Sequence, residues 1–277
     1  MTLIKESLSV PNALQNNRRG EFLFDYQKLM AFAEQHHAAY KQSKPFPHIA
    51  IDDFISDDIV NELLKGFPTP DPSRQTRNNT AYVDEETETT PAQINKVGLR
   101  EEKDFTPFLR HFLWELNSPS FILFLEKLTG IGKLLPDPKM LGGGTHQTLR
   151  DGLLRVHADF NVHRIYEIDR RINLILYLNK DWKEEYGGHL ELWDKDMTTC
   201  VDRILPIDKR CVIFSTGSET WHGHPQPLTC PPDRVRQSIA LYYYTNGRPE
   251  SEKKPRHKTL WPPLPGENFP KEKGSHE

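Results

Sequence analysis

Cysteine is scarce in this sequence, and so are long apolar runs. Its three cysteines, Cys200, Cys211 and Cys230, are too few and too scattered for a disulfide framework, and they form no CxxC pair of the kind that clips zinc. We therefore expect reduced thiols in a reducing compartment. No run of about 18 apolar residues is present to span a bilayer, and residues 1–11 lack a basic-then-apolar signal region, so we expect a soluble, cytoplasmic protein.

Charge of one sign is not in large excess either. The 36 basic and 39 acidic residues are thoroughly mixed and leave a formal net charge of -3, which provides no basic stripe for a nucleic acid. We expect a small-molecule or peptide substrate as partner, with no nucleic acid and no membrane. Hydrophobic residues make up 36% of the chain, enough to bury a core, whereas 22 prolines and a mean hydropathy of -0.67 indicate many loops.

Helical spacing of apolar residues dominates the first half of the chain. Acidic residues after Ser56 favour the N-terminal end of a helix dipole, and Pro119 and Gly130 have the positions expected just inside one helix start and just past its end. We predict a strand at 45–52 and four helices, at 22–40, 56–66, 105–116 and 119–128.

Two polar stretches are candidates for flexible segments. Thr69–Asp104 has no sustained periodicity and is either a lid that orders over a ligand or an ordinary disordered insertion. Gly142–Arg150 begins with three glycines and could act as a hinge. His146 in this second stretch could contact substrate, although such a histidine is more often a simple loop residue. We expect the two stretches to govern substrate choice.

Beyond the glycine run, the sequence alternates with period two in short segments. These are Leu153–Phe160, Ile172–Asn179, His189–Trp193, Cys211–Ser215 and Gln237–Thr245. Their succession favours an antiparallel barrel or jelly roll over βαβ units. The chain is therefore expected to be mainly β with flanking helices, as one domain. It comprises a support region at 1–135, a core at 153–245 and an extended tail at 246–277.

Two metal-ligand residues stand close together in the first of these strands. Arg155, His157 and Asp159 alternate, so their side chains are expected on one face. Taken alone, a His-x-Asp pair is a weak signal, and a surface histidine beside a solvated aspartate explains it equally simply.

A third ligand candidate follows the apolar segment Cys211–Ser215. His222 lies in a polar turn, and His224 competes with it because an extended segment would place both on one face. Two imidazoles and one carboxylate would leave three adjacent positions of an octahedral iron open, which suits a bidentate oxo-acid together with O2. A structural zinc site would instead take four protein ligands.

A late strand carries a candidate anion-binding residue. Arg236, Ser238 and the small Ala240 alternate and should share a face, so that a guanidinium, a hydroxyl and free space could receive a carboxylate. A buried arginine needs an anionic partner, and a structural aspartate or glutamate would serve as well.

The segment from Leu153 to Thr245 resembles the double-stranded β-helix core, a cupin-like jelly roll, of the 2-oxoglutarate and iron(II) oxygenases, specifically the prolyl-4-hydroxylase-like group. It covers about a third of the chain. The matching pieces occur in the family's order: His157-x-Asp159, Tyr177-Leu-Asn-Lys-Asp-Trp182, Gly187-Gly188-His-Leu190, His222, and Arg236 before the aromatic run that begins at Tyr242.

The resemblance implies a role for each of these residues. His157, Asp159 and His222 would bind Fe(II), the last being favoured over His224 by its distance from the preceding strand. Arg236 would pair with the distal carboxylate of 2-oxoglutarate. Tyr177 would assist it, unless it is simply a core tyrosine, and Ser238 shares the same face.

The resemblance further implies a dioxygenase. Such an enzyme would use 2-oxoglutarate and O2 to hydroxylate an unactivated carbon of an amino acid, a peptidyl proline or a small metabolite, with release of succinate and CO2. Two alternatives stay open. One is desaturation or demethylation with the same cofactors, and the other is a cupin-like module that binds a metal or a sugar without turnover.

Overall fold

The computed structural model of the chain describes residues 3–9, 22–70, 92–137 and 139–266. Within these residues the four α-helices are α1 (Tyr26–Gln42), α2 (Asp57–Gly66), α3 (Pro107–Leu116) and α4 (Pro119–Thr129). They confirm the four predicted helices to within a few residues. No helix in this part of the chain has the length and apolar character needed to cross a membrane.

Side-chain caps set the helix boundaries. The carboxylate of Asp25 accepts a hydrogen bond from the backbone N–H of Gln27 at 2.9 Å, which starts α1 later than the predicted Phe22. Thr106 and Ser118 cap α3 and α4 in the same way, each followed by a proline whose missing N–H costs nothing at that position. After α4 the chain turns at Gly130, whose φ of 75° is easily adopted by glycine.

All eleven strands of the described residues form one curled, mainly antiparallel sheet. Its strands are β1 (Leu3–Lys5), β2 (His48–Asp52), β3 (Gln93–Leu99), β4 (Leu135–Pro136), β5 (Gly144–His157), β6 (Asp169–Tyr177), β7 (Leu190–Trp193), β8 (Cys200–Ile204), β9 (Cys211–Ser215), β10 (His222–His224) and β11 (Arg236–Thr245). The order across the sheet is β1-β2-β9-β6-β11-β5-β10-β7-β8, with β3 added to β5 and β4 to β11. The six predicted strands are all present, whereas β1, β3, β4, β8 and β10 have no counterpart among the predictions.

The long strand β5 joins the two halves of this path, between β11 and β10. Its first part, from Gly144 to Thr148, pairs with β11 and β3, and its last part, from Leu154 to His157, pairs with β10. Asp151, in the left-handed region with φ of 61°, lies between the two parts. The sheet therefore curls at β5, and its inner face lines a cavity.

Alternation along the central strands separates core from cavity. On β11, Ile239 and Leu241 belong to the main hydrophobic core with the helices, whereas Ser238 and Ala240 line the cavity. Phenylalanines from α1 and α4 complete that core, with Phe121 and Phe124 5.2 Å apart between ring centroids. The helices thus support the outer face of the sheet and leave its inner face free for polar side chains.

Both stretches expected to be flexible require correction. Within Thr69–Asp104, the structure contains strand β3, and residues 71–91 lie outside the described part of the chain. The strand was missed because its polar residues face the cavity instead of solvent, which disguises the alternation. Gly142–Arg150 is no hinge, because from Gly144 onward it is strand β5, paired on both sides. The core accordingly begins at Gly144 and not at Leu153.

Candidate metal centre

Three potential metal ligands converge at the inner face of the sheet. His157 ends β5, Asp159 follows it, and His222 begins β10 directly opposite His157 in the antiparallel register. The Nε2 atoms of His157 and His222 lie 3.7 and 3.4 Å from the Asp159 carboxylate oxygens, and the three ligand atoms all lie within 4.8 Å of one another. Donors that share one ion at about 2.1 Å are roughly 3–4 Å apart, so the spacing fits a single metal.

Backbone contacts orient both imidazoles. Nδ1 of His157 is 2.8 Å from the carbonyl oxygen of Arg155, and Nδ1 of His222 is 3.0 Å from that of Thr220. A carbonyl only accepts hydrogen bonds, so each Nδ1 carries the proton and each Nε2 presents its lone pair to the centre. Burial, followed by the neighbouring His222, lowers the pKa of His157, which favours the neutral form that binds metal.

The carboxylate is held ionised by its surroundings. Burial acts to raise the pKa of Asp159, but the charge of Arg170, followed by the interactions with His157 and His222, holds it well below its usual range. The guanidinium of Arg170 lies 3.0 Å from Oδ2 of Asp159, and the amide of Asn173 donates to the same oxygen at 2.8 Å. These contacts leave Oδ1 as the less encumbered oxygen for a metal.

The donor set fits iron(II) better than a closed structural site. Two imidazoles and one carboxylate with open positions match a mononuclear iron centre, and the described residues add no fourth ligand to the group. His224 is also buried, but it lies outside the cluster and neither of its ring nitrogens has a hydrogen-bond partner among the described residues. The geometry thus agrees with His222 as the ligand.

A buried arginine faces the same cavity. Arg236 is 6% exposed, and it donates from Nε to the carbonyl oxygen of Gly188 at 2.8 Å and from an Nη to the Tyr177 hydroxyl at 3.3 Å. A side chain on Gly188 would collide with the Arg236 stem, which accounts for glycine there. No carboxylate of the described residues lies within 4.0 Å of this guanidinium, and burial lowers its pKa. The structural aspartate or glutamate that was the alternative partner for Arg236 is therefore absent from the described part of the chain.

The cavity that joins these groups has a volume of about 860 Å³. That is within the range of small-molecule sites. Ser238 lies directly between Tyr177 on β6 and His146 on β5, and all three line the cavity. His146 is thus a strand residue of the cavity wall and not the loop residue that was the simpler expectation.

The C-terminal tail closes one side of the cavity. Leu260 exchanges backbone hydrogen bonds with Ala158 at 2.8 and 3.0 Å, which ties the tail to the residue between the two β5 ligands. The Trp261 ring then lies 4.7 Å from the His157 ring, between centroids, at an interplanar angle of 35°. The place of the tail in the site was not foreseen.

The structure brings together every predicted site residue: His157, Asp159, His222, Arg236, Tyr177 and Ser238. The predictions missed Arg170, Asn173 and Trp261. Asn173 lies within the predicted strand at 172–179, so the alternation there was a usable signal, whereas Arg170 lies two residues before the predicted start of that strand. Nothing in the charged, proline-rich tail pointed to Trp261.

Comparison with known proteins gives a consistent picture. The profile of the 2OG-Fe(II) oxygenase superfamily matches residues 144–244, which include the triad and Arg236. The chain is similar to a prolyl hydroxylase from Trichoplax adhaerens, solved in complex with a hypoxia inducible factor oxygen degradation domain peptide fragment. The TM-score is 0.50 at 15% identity, covering 79% of this chain and 91% of that one.

A second similar structure is HygX from Streptomyces hygroscopicus with nickel and 2-oxoglutarate bound. Its TM-score is 0.50 at 10% identity, covering 82% of this chain and 96% of that one. At such identities the likeness shows the fold, and it confirms the predicted jelly-roll core. A search of curated proteins found no match to the chain.

Proposed function

We propose that this protein, which belongs to the 2OG-Fe(II) oxygenase superfamily, hydroxylates an unactivated carbon of an amino acid, a peptidyl proline or a small metabolite. It is an enzyme whose cofactor and co-substrates are Fe(II), 2-oxoglutarate and O2. When bound, this set supplies the oxidising chemistry and converts 2-oxoglutarate to succinate and CO2. The protein contributes binding, orientation and exclusion of water.

One observation carries the proposal. The buried triad of His157, Asp159 and His222 opens onto the same cavity as Arg236, a buried cation without a carboxylate partner among the described residues. A site that only held a metal or a sugar would have no need for an unpaired guanidinium, because burying a cation without a counter-ion is costly. A dicarboxylate that reaches from the metal to Arg236 satisfies both groups.

In this proposal each residue has a definite task. His157, Asp159 and His222 hold Fe(II), while Arg170 keeps the aspartate ionised and in place. Arg236 binds the distal carboxylate of 2-oxoglutarate by charge-assisted hydrogen bonds. The Tyr177 hydroxyl, which accepts from Arg236, has its own proton free to donate to that carboxylate, and Ser238 offers a further donor from the adjacent register position.

In this proposal, aromatic side chains of the tail and of the cavity lining exclude water from the metal ligands. Trp261 covers one face of His157, and Phe160 and Tyr242 stack on the Arg170 guanidinium at 4.8 and 3.4 Å from ring centroid to Cζ. These apolar surfaces narrow the route of solvent to the metal ligands. All three cysteines are unpaired, in keeping with the reducing, cytoplasmic location that we include in the proposal.

The test is substrate-stimulated succinate formation by the purified protein with Fe(II), 2-oxoglutarate and O2. A panel of free amino acids, proline-containing peptides and small metabolites is screened, and the masses of the products are measured by mass spectrometry. Hydroxylation adds one oxygen atom to the product, whereas desaturation removes two hydrogens. His222→Ala and anaerobic incubation serve as controls and should abolish the signal. Succinate formation that persists in His222→Ala, or a wild-type protein that binds neither metal nor 2-oxoglutarate, would refute the proposal.

A further inference from the structure

The charge of the cavity wall exceeds what iron and 2-oxoglutarate require. Seven lysine and arginine residues line the cavity, against one acidic residue, Asp159, in the part of the chain that the structure describes. Three of the cations have carboxylates beside them: Arg170 contacts Asp159, Arg100 lies 3.6 Å from Glu101, and Arg256 has a glutamate at the same distance. The others have no such partner among the described residues.

Loading the proposed cofactors does not neutralise this excess. The two charges of Fe(II) cancel the two carboxylates of 2-oxoglutarate, and Arg170 cancels Asp159. A net positive charge then remains in the interior of the cavity. Because Arg236 pairs with the distal carboxylate of 2-oxoglutarate, Lys96 is the interior cation left without an anionic partner among the described residues, and Arg164 and Lys258 also lie in the lining. A low-dielectric site with uncompensated cations attracts an anion and rejects neutral or cationic ligands.

Lys96 is the cation best placed to receive that anion. It lies on β3 opposite Thr148 of β5, which itself lies opposite Arg236 of β11, so the two cations occupy one row across the sheet. Residues opposite one another in a sheet share a face, and both side chains indeed line the cavity. Lys96 therefore points into the same space as the proposed co-substrate site, two strands away from Arg236.

The electrostatic surroundings of Lys96 indicate an unmet need for a counter-ion. Burial and then the charge of Arg236 lower its pKa to about 8, and Asp159 only partly offsets them. No carboxylate of the described residues lies within 4.0 Å of its ammonium group. His224 and His146 also line the cavity. Burial lowers the pKa of His146 well below its usual value, which favours its neutral form, so that it does not compete with Lys96 as a cation.

We infer that the primary substrate carries a carboxylate or phosphate group, and that Lys96 binds this group while the carbon to be oxidised lies beside the metal ligands. The His224 ring, whose nitrogens are unpartnered within the described residues, offers a hydrogen-bond donor to the same anion. This inference rests on the proposed function for the position of metal and co-substrate. It deepens that function by naming the class of substrate.

The first experiment measures binding and does not depend on turnover. Protein loaded with nickel(II) and 2-oxoglutarate is titrated with inorganic phosphate, and separately with malonate and its diamide, while the thermal unfolding midpoint is followed. We expect malonate or phosphate, but not the diamide, to raise the midpoint. Lys96→Met should weaken the binding of the anion that raises the midpoint by about ten- to a hundredfold, because one charge-assisted hydrogen bond is lost. Lys96→Arg should retain most of the effect, and Lys41→Met, at an exposed helix end, is the matched control.

The second experiment uses the succinate assay with substrates paired as acid and amide, and as phosphate ester and alcohol. Acidic members should stimulate succinate release, and Lys96→Met should remove that preference while the KM for 2-oxoglutarate changes less than about threefold. Which pair responds identifies the anion as carboxylate or phosphate. A preference for the neutral members of the pairs would overturn the inference. So would a Lys96→Met variant whose affinity for 2-oxoglutarate falls as much as that of Arg236→Ala.

The two proposals fail separately. If nickel and 2-oxoglutarate bind but no anion distinguishes wild type from Lys96→Met, the substrate inference is wrong and the proposed function stands. If anions bind through Lys96 but Fe(II) supports no succinate formation with any panel member, the proposed function is wrong and the anion site stands. A Lys96→Met protein that unfolds early is replaced by Lys96→Gln, which keeps most of the side-chain volume.

Discussion

Removing the guanidinium of Arg236 is the sharpest single test of the co-substrate site. The side chain is 6% exposed, it is anchored by a 2.8 Å hydrogen bond to the Gly188 carbonyl oxygen, and its Cζ lies 4.9 Å from the Tyr177 ring centroid. It is therefore already oriented before any ligand arrives, so little conformational entropy is lost on binding. Arg236→Ala should remove both the charge and its planar pair of donors.

The expected loss of 2-oxoglutarate affinity follows from the burial of the charge pair that Arg236 would form with the carboxylate. Truncating one partner of a buried, hydrogen-bonded charge pair costs about 2–5 kcal/mol. At about 1.4 kcal/mol per tenfold change in affinity, Arg236→Ala should weaken the binding of 2-oxoglutarate roughly thirty- to several-thousand-fold. Arg236→Lys should be milder, since it keeps the charge and loses the planar fork.

Calorimetric titration of 2-oxoglutarate into nickel-loaded protein measures this loss without any need for substrate. Metal affinity is determined in parallel and should change little, because Arg236 does not contact the triad. Tyr177→Phe is the matched control: it removes only the hydroxyl and should cost less than Arg236→Ala. An unchanged dissociation constant in Arg236→Ala, or an equal loss of metal binding, would refute the assignment of this residue to the co-substrate.

Three further outcomes are expected. His222→Ala should lower metal affinity by more than the roughly 10–100-fold that is typical of losing an outer-shell partner. His224→Ala should leave metal affinity nearly unchanged. The reverse result in equilibrium dialysis would contradict the ligand assignment. Asn173→Ala should lower metal affinity by about 10–100-fold, because it removes a 2.8 Å hydrogen bond to the carboxylate ligand, and unaltered dialysis would count against that role. Gly144→Ala should lower the free energy of unfolding by at least about 1–3 kcal/mol in chemical unfolding, because its added Cβ would lie 2.1 Å from a backbone oxygen of β3. Gly187→Ala is the control, since Gly187 also has a positive φ but lies in open space, and it should lower the free energy of unfolding less.

Much of the site was predictable from local sequence because it depends on alternation within strands. His157 and Asp159 are two residues apart, and Arg236 and Ser238 are two residues apart, so any extended backbone places each pair on one face. The helices were predictable for a similar reason, since their caps and boundary prolines act within a few residues. The choice of His222 over His224 came from the resemblance, which implies a particular distance from the preceding strand.

Other features depend on contacts between residues far apart in the chain. Strand β3 looked like a loop because its polar residues face an internal cavity, and a cavity exists only once the sheet has curled. The glycine run looked like a hinge because glycine permits many conformations, but pairing of β5 with β3 and β11 selects one of them.

By itself, the sequence predicted the metal ligands, the candidate arginine and the class of fold, partly from alternation within strands and partly from the resemblance to the 2-oxoglutarate and iron(II) oxygenases. Only the tertiary structure decided that Arg170 supports Asp159, that Trp261 covers His157, and that Lys96 shares a row with Arg236. These contacts join residues separated by many positions in the chain. Their formation depends on how the sheet curls and where the tail docks, which no local pattern specifies.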